Sequence, residues 1–135
     1  MAYKITDIEG IGTVYGGKLE AHGISTTADL LEQGGTKKGR SAISAATGLD
    51  ESLVLTWVNH SDLMRIKGVA GQFSELLEAA GVDTVKEFAT RNAANLKVAM
   101  DAKNDALGLS GRVPSQSELQ AMIDMAKTLE QKVFH

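Results

Sequence analysis

Two stretches of the sequence, residues 8–30 and 66–88, follow one pattern and decide the fold. The first reads IEGIGTVYGGKLEAHGISTTADL and the second reads IKGVAGQFSELLEAAGVDTVKEF. Apolar residues, glycines and a threonine coincide when the two are aligned: Ile8 with Ile66, Gly10 with Gly68, Ile11 with Val69, Tyr15 with Phe73, Leu19 with Leu77, Gly23 with Gly81, and Thr26 with Thr84. Because so many positions match in register, the sequence predicts an internal repeat.

Length and composition favour an all-α domain built on this repeat. The 135 residues suit one domain, and 43% of them are hydrophobic, which is enough to form a core. Pro114 is the one proline, and no segment alternates apolar and polar residues as a half-buried strand does. We therefore expect two tandem units, residues 1–65 and 66–135, packed around one shared core.

Local signals mark where the helices begin and end. Gly23 follows a short helix over residues 14–21 and is expected to end it in the left-handed conformation. Capping boxes are predicted for Thr26 with Asp29, Thr84 with Glu87, and Ser115 with Glu118. Apolar residues at helical spacing from position 119 to position 133 predict one long last helix, and the spacing around Trp57 places that ring in the core.

The turn formed by Gly10, Ile11 and Gly12 has the features of an anion site. Two glycines around one apolar residue allow a tight reversal, which leaves backbone amides exposed at the start of the following helix. Amides at a helix N-terminus, together with the helix dipole, favour phosphate. The second turn, residues 68–71, keeps its first glycine but has Ala70 where the first turn has Gly12.

This glycine-apolar-glycine turn between two short helices resembles the helix-hairpin-helix motif. With KKGRSAISAATGL and WVNHSDLMRIKGVAGQFSELLEAAGVDTVKEFATRN, the pattern also resembles a family catalogued only as a domain of unknown function, and the match covers almost the whole chain. The resemblance implies tandem helix-hairpin-helix units. Such units grip nucleic-acid backbones without reading sequence, so it also implies phosphate contacts at residues 10–13 and 68–71.

A basic run, Lys37, Lys38 and Arg40, is the best cationic patch in the sequence. Thr36 is expected to cap a helix there, which would place these cations at the unfavourable positive end of its dipole, and a bound phosphate would reverse that penalty. Arg65 and Lys67 flank the second turn. The predicted nucleic-acid contacts are therefore Gly10, Ile11, Gly12, Thr13, Lys37, Lys38, Arg40, Arg65, Lys67, Gly68, Ala70 and Gly71.

The sequence predicts no enzyme, no cofactor, no metal site and no small-molecule substrate. It contains no cysteine, and His22, His60 and His135 are isolated from one another. His60 is expected to be a surface or capping residue. The first ten residues do not form a signal peptide, and no apolar run is long enough to cross a membrane, so we expect a cytoplasmic protein without membrane contact.

Two functional hypotheses follow for a non-catalytic helix-hairpin-helix module. The first is sequence-independent binding to nucleic-acid backbone phosphates, with a low affinity of about 10⁻⁴–10⁻⁶ M. The second is a protein-protein interaction or scaffold role, with a protein partner or a homo-oligomer, in which the hairpins are purely structural. The glycine pattern and the basic run favour the first hypothesis, whereas the formal net charge of -3 favours the second.

Overall fold

The computed structural model describes residues 3–135, and the prediction of an all-α fold is confirmed over this range. A single 3-10 turn at Ile5–Asp7 precedes eight α-helices in the described chain. These are α1 (Gly12–Ala21), α2 (Thr27–Gly34), α3 (Lys37–Thr47), α4 (Glu51–Leu63), α5 (Gly71–Ala79), α6 (Val85–Phe88), α7 (Ala93–Leu107) and α8 (Gln116–Ala126). The β-type pairing within these residues is limited to one isolated bridge between Lys4 and Thr26.

Side chains cap six of these helices at their N-termini, and short-range sequence signals predict several of the caps. The capping boxes at Thr26 and Ser115 are present, and Thr36 accepts a hydrogen bond from the Gly39 amide at 3.1 Å. At Thr84 the hydroxyl oxygen accepts from the Glu87 amide at 3.3 Å. The two helices without a side-chain cap, α1 and α5, are those that follow the glycine turns.

The buried side chains form two hydrophobic clusters, which corrects the prediction of one shared core. The first cluster draws on residues 5–64 together with Val133, and the second draws on residues 63–126. Helix α4 packs on α2 and α3 and also contacts α5, so it joins the two clusters. Two successive side chains show the division: Leu63 belongs to the second cluster and Met64 to the first.

The chain does not continue as a helix to Val133, contrary to the prediction of one long last helix. Helix α8 ends at Ala126, and residues 130–134, here called the C-terminal strap, cross from the second cluster to the first. Leu129 packs on the second cluster, whereas Val133 is buried in the first. The Phe134 amide then donates to the Gly35 carbonyl at 2.7 Å. The strap therefore fastens the two halves of the described chain together.

Among the helices of residues 3–135, none is both long and apolar enough to cross a membrane.

Candidate functional site: the two glycine turns and the basic run

The first glycine turn lies on the surface around one buried anchor. Ile11 is buried in the first cluster, while Gly10, Gly12 and Thr13 are exposed. Gly10 and Gly12 have φ angles of 88° and 62°, which side chains rarely tolerate, so this turn requires both glycines. Within residues 3–135 no group accepts a hydrogen bond from the amides of Gly12 and Thr13. The predicted exposed amides are therefore present at this turn.

Helix α1, which follows the first turn, is only lightly packed against the rest of the described chain. Gly16 and Leu19 are its buried residues. Val14 is 71% exposed, and Tyr15 is 38% exposed although its ring is tilted against Trp57 with centroids 5.3 Å apart. One face of α1 is consequently exposed, and we call it the first-hairpin surface: Thr13, Val14, Gly17, Lys18 and Ala21.

The second glycine turn is partly covered by the first half of the chain. Gly68 has a φ of 93°, like its counterpart Gly10, whereas Ala70 has a φ of -109°, which explains why alanine is tolerated there. Gly71 is buried, and a Cβ at this position would lie 2.5 Å from the carbonyl oxygen of Asp7. The N-terminus of α5 is thus pressed against the chain just before the first turn, and Glu9 also lies beside it.

Equivalent hydrogen bonds close the two matched segments at the end of their first helices. The Ile24 amide donates to the Leu19 carbonyl at 2.9 Å, and the Val82 amide donates to the Leu77 carbonyl at 2.8 Å. The residues before these amides, Gly23 and Gly81, have φ angles of 82° and 93°, and their amides donate to the backbone carbonyls of Glu20 and Glu78. The two segments therefore end their first helices in the same geometry, whereas their glycine turns differ in backbone conformation and in exposure.

The basic run does not form a continuous surface patch, because Arg40 is buried. Its guanidinium donates to the carbonyls of Gly34 and Gly35, at 3.0 and 3.1 Å, and to the Phe134 carbonyl at 2.9 Å. Burial lowers the pKa of Arg40, and the nearby Glu51 partly opposes this. Lys37 and Lys38 are exposed on the first turn of α3. Arg40 is thus a structural residue, and only the two lysines remain accessible.

The cations that flank the second turn also differ in role. Arg65 forms an ion pair with Asp62 at 2.7 Å and donates to the Glu130 carbonyl of the strap at 2.9 Å. Lys67 is exposed and has no ion-pair partner in the part of the chain that the structure describes. Of the predicted basic contacts, Lys37, Lys38 and Lys67 are therefore accessible, whereas both arginines are used internally.

A buried polar cluster lies where α4 meets α5, which corrects the expectation that His60 is a surface residue. His60 is buried, and its Nε2 is 2.9 Å from a carboxylate oxygen of Glu78. Partial burial raises the pKa of Asp83 beside this pair, and the carboxylates of Glu87 and Glu78 raise it further. The sequence carried no signal for this cluster, since its members lie on separate elements.

Within residues 3–135, no group of three or more His, Asp or Glu side chains is placed to hold a metal ion. The accessible groups of this site are the exposed first turn with its uncapped amides and the first-hairpin surface. Sequence reasoning missed the exposure of Val14 and Tyr15, because nothing in these two apolar residue types indicates it.

Comparison with known proteins supplies a family and no activity. No curated protein and no solved structure matches the chain. One family model, described as Domain of unknown function (DUF4332), matches residues 9–129. That match spans both glycine turns, the basic run and all eight helices described here. The chain therefore belongs to the DUF4332 family of domains of unknown function.

Proposed function

We propose that the protein is a non-catalytic interaction module of two tandem helix-hairpin-helix units, residues 1–65 and 66–135, which binds a protein partner through its first hairpin. The tandem arrangement is supported by the equivalent hydrogen bonds and left-handed glycines of the two segments. The two hairpins differ in their surroundings. The first hairpin offers a free surface, and the second packs within the molecule, where its turn holds the two halves together.

The observation that carries this proposal is the unpartnered first-hairpin surface. Val14 is a β-branched residue with 71% of its side chain exposed, and Gly17 lies beside it one turn further along α1. A Cβ at Gly17 would meet no atom within 4 Å, so no contact within the described chain requires a glycine there. Glycine weakens a helix interior by about 1 kcal/mol relative to alanine. A partner that approaches the backbone closely would account for a glycine at this position.

The charges favour a protein partner over a nucleic acid. Two cations that the sequence assigned to phosphate, Arg40 and Arg65, donate instead to carbonyl oxygens of the same chain. The second turn faces the Asp7 carbonyl and the Glu9 side chain, which would repel a phosphate brought close to it. One exposed turn with few cations suits weak phosphate contact at best, whereas the exposed Val14 and Ala21 of the first-hairpin surface suit protein docking.

Site-specific photo-crosslinking in the cells that express the protein tests this proposal. A benzophenone amino acid would replace Val14, and the same amino acid in place of Val98 on α7 provides a matched control, because these side chains are 71% and 70% exposed. We expect one dominant protein adduct from position 14 that is absent from position 98. Gly17→Leu should abolish it, since leucine would fill the space against the helix backbone.

Two results would contradict the proposal. One is an identical set of adducts from positions 14 and 98, which would indicate random collision. The other is a position-14 adduct that persists unchanged in Gly17→Leu. Because the space beside Gly17 is empty in the described chain, this variant is expected to fold, and its far-ultraviolet circular dichroism would verify that.

Backbone phosphate binding is retained as a second candidate because of the free amides at Gly12 and Thr13. These amides have no acceptor within residues 3–135, and Lys37 and Lys38 are exposed. This candidate predicts binding to nucleic acid that weakens steeply with salt. The protein-partner proposal predicts no binding to nucleic acid, so a nucleic-acid titration distinguishes the two proposals.

A further inference from the structure

A cleft of about 510 Å³ lies between residues 3–9 and the second glycine turn. Tyr3, Asp7 and Glu9 lie on one side of it, and Gly71, Gln72 and Phe73 lie on the other. Its volume is within the range of sites that bind small ligands or single side chains. Gly71, which has no side chain, allows α5 to approach the Asp7 carbonyl, and this contact brings the residues that line the cleft together.

The charged groups of the cleft are acidic. Asp7 and Glu9 are both exposed, and neither forms an ion pair with any residue between 3 and 135. One oxygen of Asp7 accepts a hydrogen bond from the Lys4 amide at 3.1 Å, which fixes the carboxylate in place. No lysine or arginine is among the described residues that line the cleft, so its negative charge is not neutralised within it.

Two aromatic rings complete the cleft. Tyr3 packs against the first hydrophobic cluster and Phe73 against the second, and both are half-buried. Rings held in this way bind the apolar stem of a long cationic side chain, and they attract its charged head through cation-π interactions. Carboxylates and aromatic rings around one cleft are complementary to a guanidinium or ammonium group.

We propose that this cleft binds an arginine or lysine side chain of a protein partner. An anion is disfavoured there, although the uncapped N-terminus of α5 borders the cleft, because the Glu9 carboxylate already lies next to that helix end. The cleft adjoins the first turn, since Glu9 directly precedes Gly10. Cation binding in the cleft needs neither Val14 nor Gly17. A failure of the proposed docking on α1 would therefore leave the cleft proposal standing, and the reverse also holds.

Nuclear magnetic resonance titration of the ¹⁵N-labelled full chain tests this assignment. The probes are Nα-acetyl-arginine amide, Nα-acetyl-lysine amide with its side-chain ammonium free, and Nα-acetyl-citrulline amide. Citrulline matches arginine in shape but is uncharged. We expect saturable shifts of the amides of Gly68, Gly71 and Gln72 with both cationic probes, with a Kd of about 1–10 mM for arginine. The citrulline probe should bind at least about fivefold more weakly, because it lacks the charge.

Variants locate the binding site. The double variant Asp7→Asn and Glu9→Gln should weaken arginine binding about tenfold, and Phe73→Leu should weaken it about two- to fivefold. Asparagine keeps an oxygen that can accept from the Lys4 amide, so the double variant should remain folded. Glu32→Gln with Asp105→Asn removes the same charge from exposed residues elsewhere and should leave binding unchanged.

Three outcomes would overturn the assignment. Equal affinity for citrulline and arginine would show that charge is not recognised. The second is an arginine affinity that stays unchanged both in the double variant and in Glu9→Gln alone. This would show that the carboxylates of the cleft do not bind the cation. Saturable shifts of the same amides with inorganic phosphate, larger than those with arginine, would show that the N-terminus of α5 dominates.

Discussion

At the scale of single residues, His60 lies near the end of α4, and its ring is buried. Its Nε2 atom is 2.9 Å from a carboxylate oxygen of Glu78, which belongs to α5. The Nδ1 atom of His60 is buried and has no partner within the described chain. The Nε2 atom is therefore the nitrogen through which the ring is held.

Asp83 yields a pH-dependent prediction at the same scale. Burial and the carboxylates of Glu87 and Glu78 raise its pKa above 3.8, so the folded state binds this proton more tightly than the unfolded state does. The free energy of unfolding should therefore fall as pH rises from 3.8 through the raised value. We expect Asp83→Asn to be more stable than the native protein at neutral pH.

Urea unfolding at neutral pH and at a pH below 3.8 measures this difference. The stabilisation by Asp83→Asn should disappear at the lower pH, where the native carboxyl is protonated in both states. Asp105→Asn, at an exposed position on α7, is the control and should match the native protein at both values. A variant that is less stable than the native protein at neutral pH would show that the Asp83 carboxylate is favourably paired.

Among the structural elements, the C-terminal strap is the one that the sequence did not predict. The apolar positions from 119 to 133 fit one helix, but Val133 gains more by burial in the first cluster than a solvent-exposed last turn would offer. Arg40 makes that path favourable, because it joins the C-terminal carbonyls of α2 to the carbonyl of Phe134. A cation at the C-terminus of a helix also interacts favourably with the helix dipole.

Arg40→Met tests how much the hydrogen bonds of Arg40, including the one to the strap, stabilise the fold. The variant keeps a long apolar stem but removes the donors to Gly34, Gly35 and Phe134, so we expect it to lower the free energy of unfolding by about 2–3 kcal/mol. Lys37→Met, at an exposed position on the same helix, should change it by less than about 0.5 kcal/mol. Chemical denaturation gives both values, and equal stabilities for the two variants would refute the assignment.

For the whole molecule, features set by neighbouring residues were predictable and features set by distant contacts were not. The caps at Thr26, Thr36 and Ser115 depend on residues three positions away, so the sequence identifies them. The approach of Gly71 to Asp7, by contrast, depends on how the two halves pack. The division into two clusters fastened by the strap follows from the same long-range packing, and so does the difference in exposure between the two turns.

The packing of the two halves also decides which basic residues remain accessible. The sequence assigned Arg40 and Arg65 to phosphate contacts, but both donate to carbonyl oxygens of the same chain, and acidic groups lie beside the second turn. These two arginines therefore add little to any cationic surface that could offset the formal net charge of -3. This distribution of charge supports the proposed protein partner over a nucleic acid.

Fluorescence anisotropy with labelled duplex, single-stranded and branched DNA, at about 50 and 200 mM salt, distinguishes the proposed protein partner from a nucleic acid. We expect no saturable binding at the lower salt, and no difference between the native protein and the variant with Lys37→Ala and Lys38→Ala. Saturable binding that weakens steeply at the higher salt, and that falls in this variant, would contradict the proposal and establish the lysines of α3 as part of a phosphate-binding surface.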